Sequence, residues 1–370
     1  MKVIFFLMLV SSLWGVELRV GQAQSPEEGK KELDLILKEA GNEKAWAKRR
    51  ELVRAGIREG LGFQEWPKKT EMRVVRHSKV KRDGYSVENL GIETIPGYFL
   101  CGNLYLPAEE AEKMPVFLCP HGHWSKEDLH QHGRHRDEMQ VRCGALARMG
   151  CAVFSIEMVG YGDSQLMGWE HRWDAQVMAL QTWNTIRALD FLLELPGADA
   201  KREGVTGASG GGTQTFLLAA LDERVTLSVP CVMVSCHFFG GCECESGLPV
   251  HAGPSHRTNN AEIAALFAPK SQLLISDGDD WTKHTESLEF PFLQKIYGIY
   301  GKKERVENIH LAREKHDYGP SKRKALYNFV AKSFRLKRDR ADEAKVQLVE
   351  PENLFVFGKD RPKPEGLLSE

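Results

Sequence analysis

Apolar positions along the chain fall into two rhythms. Leu33, Leu35, Ile36 and Leu37, then Trp46, Leu52, Val53 and Ile57, recur at helical spacing among charged residues. They predict an N-terminal helical segment over 24–70 whose Lys, Arg and Glu residues face solvent. Strand patterns follow over 72–75, 85–94 and 99–106, with Asp83-Gly84 and Pro96-Gly97 as turns, which reads as an antiparallel meander. Continuous apolar runs at 115–119 and 152–156 suit strands buried on both faces. Between and after them helices are predicted over 137–149, 174–193, 215–221, 260–266, 286–300 and 321–334. Strands alternate with these at 205–206, 225–234, 272–275 and 306–311, and Pro230 marks the second of them as irregular or at an edge. Alternation after residue 115 predicts an α/β fold, a mostly parallel doubly wound sheet with antiparallel strands at its start. The main α/β domain spans 71–335, and a charged, Pro-containing tail occupies 336–370, wrapping the surface or partly disordered.

Composition changes this picture little. The 370 residues are 42% hydrophobic and 27% charged, with a formal net charge of -1. The pI of about 6.9 gives no overall pull toward nucleic acid or anionic membrane. The N-terminus adds a compartment. Lys2, an apolar run over 3–10 extended by Leu13 and Val16, and small residues in Gly21-Gln22-Ala23 read as a secretory signal over 1–23. The run is too short and interrupted for a confident membrane span. The mature protein is expected to begin near Gln24, secreted or periplasmic, with no membrane insertion once the signal is removed. Export permits disulfides among the eight cysteines. Cys101, Cys119, Cys143, Cys151 and Cys231 lie in apolar patterns and read as buried thiols. Cys236, Cys242 and Cys244 share one loop, where one bridge could form.

The candidate chemistry centres on Gly207-Ala208-Ser209-Gly210-Gly211, a G-x-S-x-G between a strand and an apolar helix. Such a turn needs small residues two before and two after its centre, and it lifts the Ser hydroxyl to a helix N-terminus. A phosphate-binding loop is excluded, because no G-K-[ST] follows and no G-x-G-x-x-G fits. Ser209 is the expected nucleophile. It needs a base, and His316, between the last strand and the last helix, is placed to supply one. The carboxylate that orients the imidazole should follow the preceding strand, where Asp277, Asp279 and Asp280 all qualify. Backbone N–H groups of Gly210 and His123 are the expected oxyanion hole. His121, His123, His130, His132 and His135 cluster in sequence, and Cys236, Cys242 and Cys244 are available. Neither an H-E-x-x-H nor a paired C-x-x-C occurs, so no metal and no cofactor is expected, and these residues read as the walls of a cleft.

These features together, with the His121-Gly122 and Gly160-Tyr161-Gly162-Asp163-Ser164 loops, resemble the α/β-hydrolase superfamily from about Pro115 to Phe334. Within it the chain is similar to secreted bacterial esterases of the acetyl xylan esterase-like and dienelactone-hydrolase-like kind. Met149-Gly150-Cys151, Gly207 to Gln214, Gly240 to Glu245 and Asp280-Trp281-Thr282-Lys283 carry that closer similarity. The resemblance implies a Ser-Asp-His triad, an acyl-enzyme and an ester substrate, with acetylated polysaccharide as its source. It also implies Asp280 as the acid, three residues beyond the residue that opens the loop, with Asp279 next if the loop is tighter. Well-known acetyl xylan esterases carry Gln after the nucleophile, where Gly210 stands here.

The expectation is a secreted serine carboxylesterase acting on small-molecule or polysaccharide esters, with acetyl esters of carbohydrates foremost. A serine peptidase or amidase of the same fold is the rival, and a non-catalytic binding protein is a further one.

Overall fold

The computed structural model describes residues 18–109, 112–124, 126–172 and 175–368. Residues 1–17, most of the expected signal, lie outside the described residues. Two helices open the chain, α1 (Pro26–Glu39) and α2 (Glu43–Gly60). Ser25 and Glu28 form a capping box at the start of α1, and Asn42 caps α2, so orphan amides of the first turns are satisfied locally. Then come β1 (Val74–Arg82), β2 (Tyr85–Ile95), β3 (Tyr98–Pro107), β4 (Met114–Pro120), α3 (Asp137–Arg148), β5 (Ala152–Ile156), α4 (Gly162–Leu166) and α5 (Gln176–Leu193). The remainder is β6 (Ala198–Ala208), α6 (Gly210–Leu221), β7 (Leu227–Cys231), α7 (Glu243–Ser246), α8 (Asn260–Ala265), β8 (Ser271–Asp277), α9 (Glu289–Ile299), β9 (Val306–Leu311) and α10 (Pro320–Phe334).

The nine strands among the described residues form one sheet in the order β1-β2-β3-β5-β4-β6-β7-β8-β9. The first three are an antiparallel meander, β3 meets β5 antiparallel, and the rest pair parallel. Side chains in the central strands alternate between two cores. Phe117, Val153, Val229 and Ile275 pack with Leu146, Leu326 and Val330 of α3 and α10. Val116, Leu118, Phe154 and Val205 pack with Trp183, Leu189 and Leu218 of α5 and α6 on the other face. An apolar run without alternation is what a strand covered on both sides requires. The N-terminal helices add Leu33, Ile36, Trp46, Val53 and Ile57 to a core shared with α8 and α9.

Two elements depart from the sequence reading. The first strand, expected over 72–75, runs Val74–Arg82, because the charged residues Arg76, Lys79, Lys81 and Arg82 belong to an edge strand rather than a loop. Charge on an edge discourages pairing with other chains. The strand containing Pro230 is not at an edge; β7 lies between β6 and β8. Its irregularity is real, since the ladder to β8 resumes only at Cys231 opposite Ile275 and Val232 takes φ 47°. A proline cannot donate to a ladder, so the register opens around it.

The tail is stitched into the antiparallel end of the sheet. Asn89 and Asn103 donate to the carbonyls of Asn353, Leu354 and Phe355, and the Asp163 carboxylate accepts the N–H groups of Val356 and Phe357. Leu354, Val356 and Phe357 are buried. Arg134, itself buried, pairs with Glu157 and Asp163 beneath this strap. Burial pushes the Glu157 carboxyl up to about 8, against the pull of Arg134. At the other end of the chain, Arg19 is buried against Glu32, Gln24 and the Thr258 carbonyl, and Gly21 exchanges backbone bonds with Gly240 and Phe239. Arg19 and Gly21, expected to leave with the signal, are therefore held against the fold, while Val20, Gln22 and Ala23 are exposed. Among the described residues no helix is long and apolar enough to cross a membrane.

Candidate active site

Strand β6 ends in a turn that only small residues permit. Ser209 takes φ 55° and ψ −126°, a left-handed conformation that a non-glycine residue holds only when its surroundings enforce it. A Cβ on Gly207 would lie 2.6 Å from Gly211 and from the Pro120 carbonyl, and one on Gly211 would lie 2.5 Å from that same carbonyl. Strand and helix are thus in direct backbone contact at the elbow. α6 begins at Gly210, and the first N–H groups of a helix have no acceptor within it. Ser209 therefore stands at the open N–H end of α6.

The loop after β9 is tied to that elbow from beneath. The buried Tyr318 hydroxyl sits 2.7 Å from Thr206 Oγ1, three residues before Ser209. The buried Lys322 ammonium joins Asp277 at 3.0 Å and Asp317 at 2.9 Å and also bonds the Lys315 carbonyl. These anchors bracket His316, whose Nδ1 lies 2.5 Å from Asp280 Oδ2. The other Asp280 oxygen accepts from the Thr282 N–H and hydroxyl, each at 2.6 Å. Both carboxylate oxygens are thus committed, and the side chain is 3% exposed. Asp277 accepts the Asp279 N–H in an Asx-type turn and pairs with Lys322, while Asp279 is exposed. The Trp281 and Trp124 rings flank the His316 ring, with centroids 4.7 and 6.0 Å away. A side chain on Gly122 would strike both Trp124 and the Ala208 carbonyl, so Trp124 spans from the elbow to the imidazole.

The third contributor is the loop after β4. His121 is buried; its Nε2 accepts the Met158 N–H, so its Nδ1 carries the proton toward the Gly122 carbonyl. Burial holds it well below the ordinary histidine range, and it links two strand ends as a neutral group. His123 lies against the elbow. A Cβ on Gly210 would be 2.5 Å from the His123 ring and 2.9 Å from Met158, so the position that carries Gln in acetyl xylan esterases has no room for a side chain here.

The histidines of this loop do not line one cleft. His130 is exposed and paired with Asp137, and His135 is buried against Phe355. His123 instead meets partners from far along the chain. Its Nε2 is 3.0 Å from His171 Nε2 and 2.9 Å from Cys244 Sγ. With Cys242 these four residues place one donor atom each within 4.8 Å of one another. Hydrogen bonds from Cys244, His123 and His171 pull the Cys242 thiol far below its ordinary value, against the cost of burial. The paired spacing Cys242-x-Cys244 was visible in the sequence, but His171 carried no signal. All eight cysteines are free and buried, and Cys236 stands apart, with its amide bonded to Glu289. A cavity of about 510 Å³ opens on this side, lined by His123, Tyr161, Gln165, Glu170, His171 and Arg172. Its walls mix polar and apolar surface and include an arginine, a carboxylate and an aromatic ring.

Among solved structures the chain is similar to methylesterase BT1017, with 38% identity and a TM-score of 0.86 over 93% of this chain and 77% of that one. It is also similar in fold to a glucuronoyl esterase from Solibacter usitatus, at 17% identity and a TM-score of 0.57, covering 78% of this chain and 93% of that one. A CE15 glucuronoyl esterase from Teredinibacter turnerae matches at 13% identity and a TM-score of 0.57, over 79% of this chain and 85% of that one. No protein-family model matches the sequence, and no curated protein matches it.

Proposed function

The chain belongs to the α/β-hydrolase esterases, and from that premise we propose that it is a secreted serine carboxylesterase cleaving an ester of a carbohydrate. The observation that carries the mechanism is the strained Ser209 on a glycine elbow, with the His316–Asp280 pair anchored to the same strand through Tyr318 and Thr206. Asp280 holds the proton on Nδ1 of His316, which leaves Nε2 as a base. Nε2 takes the Ser209 proton as Oγ attacks the ester carbonyl. The resulting oxyanion is held by the N–H groups of Gly210 and His123, each donor contributing about 10²–10³ in rate. Collapse expels the alcohol, which receives the proton from His316, and water repeats the sequence to free the acid.

The substrate reading shifts from the sequence expectation. Acetyl esters were foremost there; a relative named as a methylesterase at 38% identity favours a methyl ester of a sugar acid. The cavity offers Arg172, Glu170 and Gln165 beside the Tyr161 ring, a lining suited to the hydroxyls and ring face of a sugar. The test is a panel of methyl-esterified and acetylated carbohydrates, with aminoacyl anilides as the peptidase arm. Methanol release exceeding acetate release is expected, with no amine release. Ser209→Ala should abolish turnover and leave the fold intact. Substantial turnover by Ser209→Ala would sink the mechanism, and acetate release without methanol would sink the methyl ester.

A further inference from the structure

We propose that His123, His171, Cys242 and Cys244 bind one zinc ion beside the catalytic elbow. The donors come from three segments: the loop after β4, the connection between α4 and α5, and the turn into α7. Only Cys242 and Cys244 are neighbours in sequence, yet all four donor atoms converge within 4.8 Å.

The orientation of each donor suits a cation. His171 Nδ1 lies 2.6 Å from the Val159 carbonyl, which can only accept, so the proton sits on Nδ1 and the Nε2 lone pair faces the cluster. His123 turns its Nδ1 toward Glu245 Oε1 at 3.6 Å and its Nε2 inward. Carbonyl and carboxylate partners on the far ring nitrogen are the usual outer support of metal-bound histidines. The two inward Nε2 atoms stand 3.0 Å apart. With the His171 lone pair facing inward, an ion between the two Nε2 atoms satisfies both rings at once.

Size and chemistry select the ion. In a tetrahedral zinc site, with about 2.0–2.1 Å to nitrogen and about 2.3 Å to sulfur, donor atoms stand roughly 3.3–3.8 Å apart. The pairs at 2.9 and 3.0 Å need to widen by about half an ångström to reach that spacing. Two thiolates balance the charge of a divalent ion, and a sulfur–nitrogen set disfavours calcium and magnesium. With four protein donors the coordination shell is closed, which marks a structural ion rather than one that activates water. Its consequence is positional. It clamps the His123 ring over Gly210, so the loop that borders the oxyanion site is fastened to the His171 wall of the cavity and to the start of α7.

The experiment is elemental analysis of the full chain, produced with zinc present and purified through a tag that carries no histidines. One zinc per chain is expected. Exchange of cobalt(II) into the site should give the visible absorption of a tetrahedral ion together with a thiolate charge-transfer band. Cys242→Ser combined with Cys244→Ser, and separately His171→Ala, should lose the metal, while Cys236→Ser should keep it. If the variants do not fold, the intact protein still decides: a chelator should expose two more reactive thiols. Zinc well below one per chain, zinc retained by the double variant, a cobalt spectrum without the thiolate band, or a Cys242–Cys244 disulfide in the native protein each overturns the proposal. These readouts stand whether or not the esterase reading holds.

Discussion

Replacing Asp280 by asparagine keeps the shape of the side chain and reverses the hydrogen-bonding sense of one atom. Asp280 Oδ1 accepts two donors from Thr282, its N–H and its hydroxyl, both at 2.6 Å. In Asp280→Asn the amide oxygen must remain on that side, because a backbone N–H cannot accept. The amide nitrogen then faces His316 Nδ1 across the 2.5 Å contact. Two donors cannot share it, so His316 must give up its Nδ1 proton and carry it on Nε2. That is the tautomer that cannot receive the Ser209 proton. The analogous change costs about 10⁴ in kcat in a well-studied triad, or about 5 kcal/mol of transition-state stabilisation. Little water reaches the carboxylate to soften the effect, since the Asp280 side chain is 3% exposed. Asp279→Asn is the control: its side chain is exposed and only its N–H is engaged, with Asp277. Steady-state kinetics on a simple ester, with melting temperatures for both variants, separate the two. Expected are a loss near 10⁴ for Asp280→Asn at unchanged stability and nearly normal rates for Asp279→Asn. A severe loss in Asp279→Asn with near-normal Asp280→Asn refutes the reasoning.

Gly210→Ala puts a Cβ 2.5 Å from the His123 ring, and such overpacking typically costs about 1–3 kcal/mol; unchanged melting and turnover would show that the ring is free to move aside. Burial lowers His237 and His251 to about 4, so both stay neutral in the fold while the unfolded chain protonates them near 6.5. The stability they contribute is whole above about pH 6.5 and drains as pH falls toward about 4, on the order of 3 kcal/mol for His251. His251→Asn should flatten denaturation midpoints across that window, and an unaltered acid limb would count against it. A chain beginning at Gln24 lacks Arg19 and leaves Glu32 without its buried partner. It should be less stable than one beginning at Leu18 by about 2–4 kcal/mol. Equal urea midpoints for the two would show that the N-terminal packing contributes nothing.

What the sequence disclosed and what it withheld follow one physical division. The elbow was legible because its demands are local: a left-handed Ser209 between backbones in contact leaves no choice but glycine at 207 and 211. The buried strands were legible because a strand covered on both faces reads as an unbroken apolar run, as at 152–156. The edge strand was not, because its residues answer to solvent and to negative selection against pairing rather than to a core. Nor was the tail, whose charged surface hides Leu354, Val356 and Phe357 in a seam made by Asn89, Asn103 and Asp163. The His–Cys cluster was withheld most completely. Motif reading works when ligands share a helix face or a tight turn, and here only Cys242 and Cys244 do. His123 and His171 enter on separate loops of the sheet's carboxyl end, where strand order rather than sequence decides who is near whom. The same geometry accounts for Gly210. Read alone, it is a missing glutamine. Beside an imidazole whose Cε1 would stand 2.5 Å from any Cβ there, it is the space that His123 requires. Position 210 and the distant cysteines thus meet at one ring, so Gly210→Gln should displace His123 and lower both ester turnover and the zinc content of the chain, read by steady-state kinetics and elemental analysis.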